Sequence, residues 1–138
     1  MTGRPVALVA VMNTPTRLLL VEDEPTALAA LRKFFRTAGF QVDCALELEE
    51  AEALIATTDY DVVITDLRLS TSCATDGLEV LRFIRCHSRE THVVVLSAHA
   101  TSDIRDSLDA LGAEAFISKP APLPAIAETV WRVLGRPA

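Results

Sequence analysis

Short, mainly apolar runs alternate with longer amphipathic segments along the chain from about Thr16 onward. The apolar runs are four to six residues long, and such runs are typical of strands that are buried on both faces of a sheet. They predict five strands, at residues 18–21, 40–45, 61–65, 92–97 and 115–118.

Each predicted strand is followed by a segment whose apolar residues recur at helical spacing. The first segment reads PTALAALRKFFRTAGF, with Pro25 near its start and Gly39 just past its last turn. Proline favours the first turn of a helix, and glycine favours the position after its end. The same spacing predicts four further helices, at residues 48–58, 77–85, 103–111 and 122–134.

Five strands that alternate with five helices predict an α/β fold, with a parallel sheet, helices on both faces and right-handed crossovers. The alternation alone does not determine the order of the strands. A chain of 138 residues can form one domain with a sizeable core. We expect that domain at residues 17–135, with no output domain after it and a poorly ordered extension, residues 1–16, before it.

The extension contains the apolar stretch VALVAVM at residues 6–12, which faintly resembles the core of a signal peptide. It is too short and has no small-residue cleavage site after it, so we do not expect a signal peptide. No run approaches the roughly 18 apolar residues of a membrane span. The sequence leaves open whether Met1 or Met12 is the initiator.

The formal net charge of −6 argues against nucleic acid as a direct ligand, because phosphate backbones are bound by clusters of Lys and Arg. The three cysteines, Cys44, Cys73 and Cys86, lack the spacing of a metal site. We expect them to be small apolar fillers or surface thiols in a reducing compartment. These features predict a cytoplasmic protein that contacts neither nucleic acid nor membrane directly.

Polar side chains lie at the carboxyl ends of four of the five predicted strands. Glu22 and Asp23 follow the first strand, Asp66 follows the third, Ser97 ends the fourth and Lys119 follows the fifth. In open α/β sheets, ligands bind in the crevice beyond the carboxyl ends of the strands. We therefore expect these five side chains to share one site, although each alone could be a helix cap or a solvated group.

The chemistry of this set indicates a cation and an anion together. Two carboxylates about 4 Å apart repel each other by roughly 4 kcal/mol at an effective dielectric near 20, so three of them require a cation or raised pKa values. Ligands that are all oxygen favour a hard ion such as Mg²⁺. The presence of Lys119 and Ser97 at the same site is explained if a phosphoryl group also binds there and each side chain contacts one of its oxygens. The resulting hypothesis is Mg²⁺-assisted phosphorylation of an aspartate.

Four motifs together resemble the receiver domain of bacterial two-component response regulators, of the stand-alone single-domain type. They are LLLVEDE, DVVITDLRL, VVVLSA and GAEAFISKP, within a likeness that extends over residues 16–135. The resemblance implies the flavodoxin-like (βα)5 fold, doubly wound, with strand order 2-1-3-4-5 and the site at the switch point. It also implies a phosphorylation-activated switch that signals by protein–protein contact and that catalyses only its own phosphotransfer and dephosphorylation.

The resemblance also assigns roles to the site residues. Asp66 accepts the phosphoryl group from the histidine of a sensor kinase or a histidine phosphotransfer protein. The metal, Mg²⁺ or Mn²⁺, is bound by Asp23 and Asp66 directly, by Glu22 largely through water, and by the backbone carbonyl of Arg68. Lys119 contacts the phosphoryl group.

Further roles concern the transmission of the signal. The resemblance implies a cis bond between Lys119 and Pro120 and a movement of Ser97 onto the phosphoryl group. Phe116 is the aromatic residue whose rotamer couples that movement to a face made by the fourth helix, fifth strand and fifth helix. An unknown downstream protein reads this face, and a phosphorylation-dependent homodimer is a further expectation.

The chain departs from the family after the phosphoacceptor. The segment LRLSTSCATDG has no proline and is about three residues longer than usual, which leaves the loop shape, Mg²⁺ affinity and kinase fit open. Arg68 and His99 lie two residues after Asp66 and Ser97, at positions that flank the phosphoryl group in the family. They either tune phosphoryl hydrolysis or are simply solvated.

Three other functions are compatible with parts of the pattern. A pseudo-receiver would bind partners without phosphorylation. Phosphatases of the haloacid dehalogenase type also use an Asp nucleophile, a Ser or Thr, a Lys and Mg²⁺, but their nucleophile lies in a DxD motif on the first strand, which VEDE does not match. A flavodoxin requires a phosphate-binding first loop, and EDEP would repel that phosphate.

Overall fold

A computed structural model describes residues 15–66, 76–98 and 102–135, apart from the side chains of residues 76, 77 and 104. Most of the predicted extension and the segment with Cys73 lie outside the described residues. Within the described residues, five strands alternate with five helices, as the sequence predicts. They are β1 (Arg17–Val21), α1 (Pro25–Thr37), β2 (Gln41–Ala45), α2 (Leu48–Thr57), β3 (Val62–Asp66), α3 (Asp76–His87), β4 (His92–Ser97), α4 (Ser102–Ala110), β5 (Ala115–Ser118) and α5 (Leu123–Val133).

The five strands form one parallel sheet in the order β2-β1-β3-β4-β5. This confirms the strand order that the resemblance implied. The register pairs Val21 with Thr65, and Asp66 with Leu96. The carboxyl ends of β1, β3 and β4 therefore lie side by side at the centre of one edge of the sheet, where the order of the strands reverses.

Alternate residues of the strands pack into two separate cores, because successive side chains of a strand point to opposite faces. Leu18 and Leu20 contribute to the core beneath α1 and α5, and Leu19 and Val21 contribute to the core beneath α2, α3 and α4. All four are at most 1% exposed. Both faces of β1 are thus covered, as the uninterrupted apolar run predicted.

Several element boundaries differ from the sequence prediction by one or two residues. The third strand begins at Val62 and includes Asp66, and the side chain of Asp61, just before it, accepts a hydrogen bond from the backbone N–H of Arg17. Helix α3 begins at Asp76 and ends at His87. None of the helices in the described part of the chain is long and apolar enough to cross a membrane.

Candidate functional site

Three carboxylates meet at the carboxyl edge of the sheet, where β1 and β3 end. Glu22, Asp23 and Asp66 each present an oxygen within 4.8 Å of the others. Glu22 is 3% exposed and Asp66 is 7% exposed, while Asp23 is half-buried. The sequence prediction that these residues come together is confirmed, because adjacent parallel strands of matched register end at the same level.

Lys119 supplies positive charge to this cluster. Its Nζ donates to Asp66 Oδ2 at 2.6 Å and to Glu22 Oε1 at 2.8 Å. The backbone places it there: the Lys119 N–H donates to the carbonyl of Ser97 at 2.8 Å, and the bond to Pro120 is cis, as expected. One ammonium group therefore bridges two carboxylates that lie on different strands.

Burial and pairing act in opposite directions on the ionisation of this pair. Burial is the largest influence on Glu22 and raises its pKa; the hydrogen bond from Lys119 opposes this rise, the charge of Asp66 adds to it, and the pKa stays above its ordinary value. Burial also lowers the pKa of Lys119, but hydrogen bonds to Asp66 and Glu22 outweigh it and hold this pKa above its ordinary value. The site thus retains a charged lysine and favours a further cation.

The turn between β1 and α1 fixes the conformation of Glu22. The backbone N–H of Glu24 donates to Glu22 Oε2 at 3.2 Å, while the Glu24 carboxylate accepts from the backbone N–H groups of Thr26 and Ala27 at 3.2 and 2.8 Å. Glu24 is therefore the N-cap of α1. The sequence does not mark Glu24 as a cap, because Ser, Thr, Asp and Asn are the preferred caps.

The donor set fits a magnesium ion. Carboxylate oxygens from three residues lie within reach of one centre, and hard oxygen ligands are those that Mg²⁺ selects. Glu22, Asp23 and Asp66 would hold the ion, which would offset the carboxylate charge and draw electron density from a phosphoryl oxygen. The expected fourth ligand, the carbonyl of Arg68, lies outside the described residues.

Two of the remaining predicted residues, Ser97 and Phe116, lie on β4 and β5, and the others lie outside the described ranges. Ser97 is 6% exposed at the end of β4. Phe116 is half-buried in β5, opposite Val95 of β4. His99, like Arg68, is not among the described residues, so its expected influence on hydrolysis stays a prediction.

The fold and this site define a doubly wound α/β protein with an acidic crevice at the point where its strand order reverses. The family model for the response regulator receiver domain matches residues 18–130. The chain belongs to this family. It is therefore a signalling module of the two-component type, which separates it from the dehalogenase-type phosphatases and the flavodoxins.

Individual relatives agree with this assignment. The transcriptional regulatory protein DltR of Streptococcus agalactiae is 36% identical over 105 residues, which cover 75% of this chain and 45% of DltR. The sensory/regulatory protein RpfC of Xanthomonas campestris is 34% identical over 105 residues, with 75% of this chain and 14% of RpfC covered. The chain thus spans less than half the length of these two relatives.

A solved structure is similar in fold. The CheY-like receiver domain protein from Methanospirillum hungatei superposes with a TM-score of 0.83 at 20% identity, and the match covers 88% of this chain and 95% of that one. At this identity the likeness concerns the fold alone. It agrees with the five-stranded sheet order and with the helices on both faces.

Proposed function

We propose that this receiver domain accepts a phosphoryl group on Asp66 from the histidine of a sensor kinase or a histidine phosphotransfer protein. The observation that carries the proposal is the environment of Asp66. Its carboxylate ends β3, lies within 4.8 Å of oxygens of two further acidic residues and is 2.6 Å from the ammonium group of Lys119. Carboxylates that could hold a cation and a fixed ammonium group therefore both approach Asp66.

In the proposed reaction, a carboxylate oxygen of Asp66 forms a bond to phosphorus while the bond from phosphorus to the donor's histidine nitrogen breaks. Lys119, already at Asp66, offsets the negative charge of the transferring group from a fixed position. A bound Mg²⁺ would supply the rest of the required positive charge. The chain itself provides positioning and charge, which are the main sources of catalysis in phosphoryl transfer.

The proposal continues with a shift between two conformations. Ser97 moves onto the phosphoryl group, Phe116 changes rotamer, and the face formed by α4, β5 and α5 changes its affinity for a downstream protein or a second copy of the chain. The contact between α4 and β5 through Phe116 supports this route. We also propose a cytoplasmic location, because the free thiols Cys44 and Cys86 suit a reducing compartment.

Incubation with Mg²⁺ and acetyl phosphate, followed by intact mass measurement, tests the proposal. We expect wild type to gain one phosphoryl group and Asp66→Asn to gain none, since the amide is not a nucleophile of this kind. Asp23→Asn is the matched variant that keeps the acceptor but weakens the cation site, and we expect it to gain the group more slowly. A wild type that gains no mass would favour the pseudo-receiver.

A further inference from the structure

A cationic side chain of α4 covers the ring of Phe116. The guanidinium carbon of Arg105 lies 4.7 Å from the centroid of this ring, within the roughly 6 Å of a cation–π contact. Arg105 is exposed and Phe116 is half-buried, with its inner side packed against the core beneath α2, α3 and α4. The guanidinium therefore lies on the outer side of the ring.

The sheet register connects this ring to the switch hydroxyl. Phe116 is opposite Val95 and Ser118 is opposite Ser97, so Val95 and Ser97, two residues apart on β4, point to the same face as Phe116. Helix α4 covers this face, because Leu108 is buried in the same core. Ring and hydroxyl thus share one layer between α4 and the sheet.

The ring is not enclosed on its outer side. A cleft of about 240 Å³ borders it, lined also by Arg105, Leu108, Asp109 and Glu114. Although Asp109 is one turn further along α4, no ion pair of Arg105 is found in the described part of the chain. On this side, the guanidinium of Arg105 is in contact with the ring.

We propose that Arg105 is a positioning residue that holds Phe116 toward the surface and so opposes the switch to the phosphorylated conformation. The inference rests on the proposed function, because it assigns Phe116 the role of the switch aromatic. A ring that turns further inward, along this layer toward Ser97, moves away from the exposed guanidinium. The contact therefore stabilises only the outward position.

The expected effect is modest and has a definite sign. A cation–π contact at an exposed site is worth about 0.5–1 kcal/mol, which corresponds to about a two- to fivefold change in an equilibrium constant. Arg105→Met retains the long apolar chain but removes the cation, so we expect it to raise the ratio of inward to outward rings by this factor. Arg105→Lys retains a cation and should restore most of the wild-type ratio.

The position of the ring can be measured without phosphorylation. With 4-fluorophenylalanine at position 116, the difference in fluorine shift between H₂O and D₂O reports how exposed the ring is. We expect this difference to fall in Arg105→Met and to return toward wild type in Arg105→Lys. Arg89→Met, which removes the same charge from an exposed position after α3, is the matched control and should leave it unchanged. A difference that stays the same or rises in Arg105→Met overturns the inference.

The phosphorylation rate from acetyl phosphate is the second measurement on the same proteins. We expect Arg105→Met to gain the phosphoryl group about two- to fivefold faster than wild type, and Arg89→Met to match wild type. If wild type becomes phosphorylated but Arg105→Met shows the same rate, the inference is wrong. It is also wrong if the rate changes while the exposure of the ring at position 116 does not. If wild type gains no phosphoryl group, the proposed function fails, whereas the ring measurement still shows whether Arg105 holds Phe116.

Discussion

At the scale of single residues, Lys119 determines whether the acidic cluster is tolerated in the absence of a metal. Its Nζ lies 2.8 Å from Glu22 and 2.6 Å from Asp66, and the side chains of these acids are 4% and 9% exposed. Removing one partner of a buried ion pair leaves the other charge uncompensated, which costs more than the pair itself contributes. Lys119 is 29% exposed, so solvent screens part of this effect.

We predict that Lys119→Met lowers the free energy of unfolding in metal-free buffer by about 1–2 kcal/mol, less than the 3–5 kcal/mol of a fully buried pair. Added Mg²⁺ should restore part of the loss, because a bound ion replaces the missing charge. Urea unfolding followed by the fluorescence of Trp131, the single tryptophan, measures both. Arg132→Met, exposed on α5, is the control, and equal stability of Lys119→Met and wild type would contradict the account.

At the scale of elements, the helix ends next to the site have specific partners. Glu24 caps α1 with two side-chain hydrogen bonds, whereas Glu47, at the same position of α2, makes no such bond. The two residues are chemically identical, but only Glu24 accepts cap hydrogen bonds. This contrast allows the contribution of the cap to be isolated.

We predict that Glu24→Ala lowers the free energy of unfolding by about 1 kcal/mol, the usual cost of losing a cap. Glu47→Ala should change it by less than half as much. Urea unfolding of the two variants measures both losses in the free energy of unfolding. Similar losses in both variants would show that the cap hydrogen bonds of Glu24 contribute little.

The ends of α3 and α4 are joined by Arg85. Its guanidinium donates to the carbonyls of Leu111 at 3.1 Å and Gly112 at 2.8 Å, and also to Thr91 at 2.8 Å. A Cβ atom at Gly112 would lie 3.0 Å from Arg85 Nε, and φ there is +86°. The close approach of this arginine therefore depends on the absence of a side chain at position 112.

We predict that Gly112→Ala is more destabilising than Gly39→Ala. Both glycines have positive φ, +86° and +101°, but no atom of the described residues lies within 4 Å of a Cβ at Gly39. Each substitution therefore has the backbone cost of a positive φ, about 1 kcal/mol, and only Gly112→Ala also displaces Arg85. Thermal unfolding of the two variants gives the comparison, and equal losses would contradict the role of Arg85.

At the scale of the whole molecule, the sequence predicted the fold better than the side-chain contacts. The ranges 92–97 and 115–118 agree with the observed strands, because polar residues bound these apolar runs clearly. The edge of the sheet that carries the site was also predictable, because parallel strands end at the same edge, whereas the contact of Lys119 with Glu22 across 97 residues depends also on the strand order. The strand order came from family resemblance, because periodicity contains no information about which strands are neighbours.

The sequence did not predict the contacts that depend on side-chain rotamers or on how a helix is rotated about its own axis. Nothing in the local sequence indicates that Arg105 lies over Phe116, since the contact depends on how α4 rotates against β5. The bonds of Arg85 to the turn after α4 arise in the same way, because they join residues 26 and 27 positions apart. Such contacts follow from packing between elements, whereas the pattern of apolar residues describes each element separately.

The most direct test of the central claim identifies the residue that carries the phosphoryl group. After incubation with Mg²⁺ and acetyl phosphate, borohydride reduces an aspartyl phosphate to homoserine, and peptide mass spectrometry locates the reduced position. The account predicts homoserine at position 66, dependent on Mg²⁺ and absent without the phosphodonor. Reduction at Asp23 or another carboxylate, or no reduction at any position, would contradict it.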